Sequence, residues 1–199
     1  MSLRPTVHAN CFVVGEAGIL VRGESRSGKS SLTLALIERA TAEGRFARLV
    51  ADDRVRLEAK NDRLIGSVPS TIAGLIERRG VGIERLPFLR RAVVRLVVDL
   101  LPPGKPLPDR VDLDVVIEGV TLPCVTWPGG CFEAADVVMT ALRAIERRGD
   151  CGATALAFGR QDGEITVTMG SPSKSQPAGA RAARGGRRSE RNEFCAETQ

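Results

Sequence analysis

Tyrosine is absent from this 199-residue chain, Trp occurs once, and aromatic residues of all kinds make up only 4%. Recognition of single-stranded nucleic acid leans on aromatic platforms that stack bases, so this poverty argues against a nucleic-acid partner. There is no C-x-x-C pair. The five cysteines, Cys11, Cys124, Cys131, Cys151 and Cys195, are odd in number and scattered, which fits free thiols in a reducing compartment better than a disulfide framework or a zinc site. No stretch approaches the roughly 18 consecutive apolar residues of a membrane span, and the segment from Met1 to His8 lacks the apolar core of a signal peptide. A cytoplasmic protein with no membrane partner is the expectation. A large charge excess is missing too. The net charge is +5, and the end of the chain holds Lys174, Arg181, Arg184, Arg187, Arg188 and Arg191 against Glu190, Glu193 and Glu197, so three of the five units sit there. The body is nearly balanced, and its basic pI says little about partners.

The remaining composition, 43% hydrophobic and 27% charged, is that of an ordinary globular protein large enough to bury a core without staples. We expect one domain over residues 1–150, an extension over 151–170, and an Arg-rich tail over 171–199. The tail is Ser, Pro, Gly, Ala and Arg and cannot bury enough apolar surface to offset its ordering entropy, so disorder is expected there. Ala9 to Val14 and Ala17 to Arg22 read as a hairpin turning at Gly15-Glu16. A helical pattern with Leu32, Leu34, Ala35, Leu36 and Ile37 ends at Glu38-Arg39. Ala47 to Lys60 reads as a strand or two, Asn61-Asp62 as a turn, and Arg63 to Val68 as a further strand. Thr71 is placed to cap a short helix running to about Arg78. Ala92 to Leu101 is a β-branched buried strand, Asp114 to Trp127 gives one or two more around Glu118-Gly119, and Glu133 to Arg147 is a helix with Ala134, Val137, Val138, Ala141, Leu142 and Ile145 on one face.

One short segment carries most of the chemistry. Gly23-Glu24-Ser25-Arg26-Ser27-Gly28-Lys29-Ser30 matches G-x-x-x-x-G-K-[ST]. Gly23 and Gly28 permit backbone conformations that turn successive N–H groups inward toward phosphate oxygens. Lys29 supplies a cation for the β- and γ-phosphates, Ser30 a hydroxyl for Mg²⁺, and the following helix aims its N-terminus at the anion. An apolar strand, Gly18-Ile19-Leu20-Val21, leads in and an apolar-faced helix leads out, which is the context such a loop requires. The fold class expected is therefore α/β: a P-loop nucleotide-binding domain with a mixed β-sheet and few helices.

Carboxylates must serve the metal and the attacking group in phosphoryl transfer. Leu49-Val50-Ala51-Asp52-Asp53 ends an apolar strand with paired Asp, and Val97-Val98-Asp99-Leu100 has the same hydrophobic-then-Asp character. Adjacent strand residues point to opposite faces, so only one of Asp52 and Asp53 reaches the reacting group directly. An Asp at a strand end also commonly just starts a turn, the plainer reading of Asp99. His8 is the sole histidine, more often a surface residue than a catalytic one, although its ordinary pKa range suits proton transfer.

Taken in order, these stretches resemble the catalytic domain of the HPr kinase/phosphorylase family. His8 precedes Gly23 by fifteen positions, the P-loop follows, Arg48-Leu49-Val50-Ala51-Asp52-Asp53 is similar to the family's R-L-V-A-D-D, and Ile76-Glu77-Arg78-Arg79-Gly80-Val81-Gly82-Ile83 is similar to its L-E-I-R-G-L-G-I. The resemblance covers His8 to Ile83, with weaker similarity through the strand at Val93–Asp99 to roughly Arg147. It implies a kinase that uses ATP and Mg²⁺ to phosphorylate a serine of an HPr-like phosphocarrier of the phosphotransferase system, with the reverse reaction driven by inorganic phosphate at the same site. It also implies a homo-oligomer. In its terms Asp53, or its neighbour Asp52, is the base, His8 and Lys29 act at the phosphates, residues 23–30 hold the nucleotide, and Ser30 and Glu77 hold Mg²⁺. Unaided, Glu77 reads as a solvent-facing helix residue. The chain departs from long members in Ser31 for Glu, in Arg26 for a loop Gly, in the added Thr41-Ala42-Glu43-Gly44, and in Pro128-Gly129-Gly130-Cys131 where an active-site Arg is expected. It matches a reduced form without the amino-terminal domain, as in short members from α-proteobacteria. Two alternatives stand beside the kinase: a P-loop protein of other target with Asp99 serving the metal, and a non-catalytic ATP-binding regulator.

Overall fold

The computed structural model describes residues 5–102, 105, 114–128, 131–148, 156–161 and 164–169. The boundary expected at residue 150, the tail over 171–199, and Gly129-Gly130 lie outside the described residues.

Chain order is β1 (Thr6–Val7), β2 (Ala9–Val14), β3 (Ala17–Gly23), α1 (Lys29–Ala42), β4 (Ala47–Ala51), β5 (Val55–Lys60), β6 (Arg63–Ser67), β7 (Leu75–Arg78), β8 (Gly82–Arg85), β9 (Arg91–Leu101), β10 (Asp114–Ile117), β11 (Val120–Pro128), α2 (Cys131–Arg148), β12 (Leu156–Gln161) and β13 (Glu164–Met169). Strands run β1-β5-β6-β9-β3-β2-β4 through one mixed sheet, with β11 added to β9 and β10 to β11. Pairings of β9 with β3 and with β11 are parallel. The hairpins β7–β8 and β12–β13 stand apart from this sheet.

The central strands are buried on both faces, which is why they read as continuous apolar runs rather than alternations. All six residues of β2 are buried. Phe12, Val14, Ile19, Val21, Leu96 and Val98 meet Leu32, Leu36 and Ala40 of α1 and Val138, Met139 and Leu142 of α2. Cys11, Val13, Leu20 and Val97 fill the opposite face with Val50, Val55 and Leu64. Helix α1 runs past the expected stop at Glu38-Arg39, because Ala40 is fully buried and Arg39 pairs with Glu43 and Asp136. Gly44 then closes it with φ +72, the left-handed conformation common after helix ends.

The helix expected from Thr71 to Arg78 is not formed. Ser70–Ile72 makes one 3₁₀ turn, and Leu75–Arg78 is strand β7, paired with β8 through a turn at Arg78–Val81. Burial decides the matter. Ile76 alone points inward, against Leu34 and Leu49, while Glu77 is exposed. This is the period of a strand, not of a helix.

Two register shifts set which side chains reach each face of the sheet. Between β3 and β9 the ladder shifts at Gly18/Ile19, so Val94 and Val97 share one face while Leu96 turns to the other. Between β2 and β4 it shifts at Cys11/Phe12, so that Leu49 opposes Phe12 and Ala51 opposes Cys11. Val50 and Ala51 both enter the core opposite the helices. Strict alternation from Ala47 and Leu49 would carry Asp53 to the α1 side; the bulge delivers Asp52 instead.

Candidate active site

The loop from β3 to α1 is built on unusual backbone. Gly23 has φ +149, and a Cβ there would lie 2.7 Å from both the Leu100 carbonyl oxygen and Ser27 Oγ. Gly28 caps α1 in the left-handed region with φ 99, and no acidic residue occupies the helix's first turn. The partial positive charge of the helix N-terminus is thus left for an anion. Ser27 Oγ is buried without a hydrogen-bond partner.

Lys29 is buried, and its Nζ donates to the carbonyls of Gly23 at 3.2 Å and Glu24 at 2.9 Å. It also lies 2.8 Å from His8 Nε2, while His8 Nδ1 lies 2.8 Å from Asp53 Oδ1. An ammonium can only donate, so Nε2 accepts from it and the Nδ1–H donates to Asp53. Asp53, His8 and Lys29 form one chain. Burial lowers the Lys29 pKa from its usual range, opposed by the charges of Asp53 and Asp52.

The paired acids differ sharply. Asp52 is 8% exposed. Its Oδ1 accepts from Asn10 Nδ2 at 2.6 Å and Ser30 Oγ at 2.9 Å, and its Oδ2 accepts from the Glu77 backbone N–H at 3.0 Å. Burial raises its pKa above the usual carboxylate range, countered by the bonds from Glu77, Ser30 and Asn10. Asp53 has a side chain 61% exposed and sits at φ 63. That left-handed conformation, uncommon for any residue with a side chain and best tolerated by Asn and Asp, aims it at His8.

These groups open onto a cleft of about 550 Å³ lined by His8, Ser25, Arg26, Gly28, Lys29, Ser30, Ser31, Asp53, Glu77 and Arg79. The Gly23 and Glu24 carbonyls hold Lys29 in place, and Ser27 is buried within the loop. Every residue that the family resemblance singled out, Asp52 included, thus stands in or beside one site. Asp99 does not. It is held by Arg22 in a two-pronged pair at 2.7 and 2.6 Å, with Cys124 Sγ 3.5 Å away, and it lines no part of the cleft. Sequence reading passed over Asn10 and Arg79. The signal for Asn10 was available: a fully buried polar residue inside an apolar strand requires partners.

The donor set suits a divalent cation bound with a polyphosphate. Ser30 Oγ and the Glu77 backbone N–H both bond the Asp52 carboxylate, Ser30 and Glu77 line the cleft, and Arg26, Lys29 and Arg79 supply positive charge there. Among the described residues no cluster of three or more His, Cys, Asp or Glu could hold a metal alone.

The class that fold and cleft define is a P-loop nucleotide-binding domain. A family model described as the HPr Serine kinase C-terminal domain matches residues 1–87. Among curated proteins, an HPr kinase/phosphorylase of Clostridium tetani is 46% identical over 72 residues, 36% of this chain and 22% of the relative. One from Caldanaerobacter subterraneus is 43% identical over 79 residues, 39% of this chain and 24% of the relative. The match therefore spans about a quarter of the length of these curated relatives. A solved structure, the Hpr(Ser) kinase/phosphatase from Coxiella burnetii, superposes with a TM-score of 0.60 at 31% identity, covering 73% of this chain and 98% of that one. The chain belongs to the HPr kinase/phosphorylase family.

Proposed function

We propose that the protein is an ATP- and Mg²⁺-dependent protein kinase that phosphorylates a serine of an HPr-like phosphocarrier, and that it also removes the group by phosphorolysis. The observation that carries this reading is the convergence of His8, Lys29, Ser30, Asp53 and Glu77, from separate segments of the chain, on one cleft. The relatives' names supply the acceptor. A second groove of about 450 Å³, floored by Ile72, Leu75, Ile76 and Ile83, meets the first at Asp53 and Glu77. An acceptor approaching along it brings its hydroxyl to Asp53 from the side away from the P-loop.

The residues divide the work. The loop 23–30 and the α1 N-terminus hold the phosphates, and Lys29 and Arg26 place positive charge where negative charge collects during transfer. Mg²⁺ would be held by Ser30 and Glu77, with the Asp52 carboxylate accepting from Ser30 behind it, and would neutralise phosphate charge. Asp53, with one oxygen bonded to His8 and its side chain open to solvent, takes the proton of the acceptor hydroxyl. Asp52, saturated by three donors, is the metal-side carboxylate rather than the base. In the reverse direction Asp53 returns the proton to the departing serine oxygen as phosphate attacks.

The test mixes the protein, γ-labelled ATP, Mg²⁺ and the HPr-type carrier of the same genome. Label on a carrier serine, released again by inorganic phosphate, is the expected result. ATP binding with no transfer would overturn the kinase reading and leave a nucleotide-dependent regulator. No helix among the described residues is long and apolar enough to cross a membrane.

A further inference from the structure

Asn10 is fully buried in β2, on the α1 side of the sheet. Its neighbours in the strand are apolar, so a polar side chain here is costly unless every group is paired. The amide is used at both ends. Nδ2 donates to Asp52 Oδ1 at 2.6 Å and lies 3.3 Å from Ser30 Oγ and 3.4 Å from Thr33 Oγ1. Oδ1 accepts the backbone N–H of Asp53 at 3.0 Å. One side chain therefore grips the carboxylate of one acid and the main chain of the next.

We infer that Asn10 is the positioning residue that assigns the two adjacent acids their separate roles, fixing Asp52 toward Ser30 and the metal side while holding the Asp53 backbone so that its carboxylate turns to His8. This rests on the kinase reading for the roles themselves and on the hydrogen bonds for the positioning. The geometry leaves few substitutes. The bulge in β4 brings Asp52 to this face but fixes neither its rotamer nor the turn after it. Among the hydrogen bonds of the described residues, Asn10 is the side chain that joins both acids. An apolar residue of similar size leaves Asp52 its bonds from Ser30 and Glu77 but frees Asp53 from its main-chain anchor.

The P-loop itself makes no hydrogen bond to Asn10 except through Ser30, so loss of Asn10 should separate nucleotide binding from metal coupling. The experiment measures ATP affinity of the full chain with and without Mg²⁺, for the natural protein and for Asn10→Leu and Asn10→Asp. Asn10→Asp preserves volume but sets a second carboxylate against Asp52. In both variants metal-free ATP affinity should stay within about twofold, while the gain in affinity on adding Mg²⁺ falls by about 10–100-fold, the usual effect of losing a group that orients a metal ligand. Where carrier phosphorylation is measurable, kcat should fall by a similar factor with the carrier KM unchanged. The melting temperature identifies a variant that has lost its fold, and the other then decides. Full Mg²⁺ enhancement in a folded variant overturns the inference, as does a parallel loss of metal-free binding. Since the binding arm needs no carrier, a failure of the kinase reading shows separately, as Mg²⁺-enhanced binding without transfer.

Discussion

Asp53→Asn separates chemistry from structure more cleanly than any other change in the cleft. The Asp53 side chain is 61% exposed, and its interaction is the 2.8 Å contact with His8. A contact this exposed contributes about 0–1 kcal/mol. Asn keeps a carbonyl oxygen that still accepts from His8 Nδ1–H, and its backbone is among the few that tolerate the observed φ of 63. The bond from the Asp53 main-chain N–H to Asn10 is untouched. Stability should therefore change by less than about 1 kcal/mol, a Tm shift of roughly 4 °C at most for a chain of this size. MgATP affinity should hold within about threefold, because Asp52, Ser30 and the loop remain. Only the proton acceptor disappears, and removing a general base costs about 10²–10⁴-fold, or about 3–5 kcal/mol of barrier. Thermal melting, calorimetric titration of MgATP and a single-turnover transfer assay measure the three quantities side by side. Transfer within tenfold of the natural rate would refute Asp53 as the base. Loss of MgATP binding at normal stability would refute the division of labour and place Asp53 at the metal.

Two further changes probe the loop and the core. Gly23→Ala drives a Cβ to 2.7 Å from the Leu100 carbonyl, a backbone atom that cannot swing aside, at φ +149; the clash and strain should cost about 2 kcal/mol or more, lowering Tm by roughly 4–8 °C and abolishing nucleotide binding, and an unchanged melt with normal ATP affinity would refute this account of the loop. Burial pushes the thiols of Cys11 and Cys124 up to about 12 from an ordinary value of 9.0. The folded chain then keeps protons that the unfolded chain releases, so this stabilisation is complete below pH 9 and drains away as pH climbs toward 12. At pH 10 the two thiols together account for a loss of about 3 kcal/mol. Urea unfolding at pH 8 and pH 10 should show that loss shrinking in a Cys11→Ala, Cys124→Ala variant; an equal alkaline loss in both proteins would refute it.

Legibility in the sequence tracks the range of the interactions responsible. The hairpin β2–β3, the P-loop, β9 and α2 are set by local signals, namely turn residues at Gly15-Glu16, glycines at fixed offsets and apolar periodicity, and all were readable. The segment 71–78 was misread because Thr71 offers a local cap, whereas the deciding contact is Ile76 against Leu34 and Leu49, more than twenty residues away in the chain. With that contact comes the outward turn of Glu77, which periodicity alone placed on a solvent-facing helix. The choice between Asp52 and Asp53 lay further out of reach. Alternation from Leu49 points to Asp53 as the residue on the α1 face, and the register shift opposite Cys11 and Phe12 reverses that parity. A bulge has no consistent residue signature here, since Val50 and Ala51 are as apolar as their neighbours. Its consequence is nonetheless visible in sequence once the site is known. An acid delivered to a buried face needs donors, and the strand facing it supplies one at Asn10, the single amide within an otherwise apolar run from Ala9 to Val14. The buried polar residue that breaks a strand's pattern is therefore the sequence-level trace of the backbone irregularity beside it.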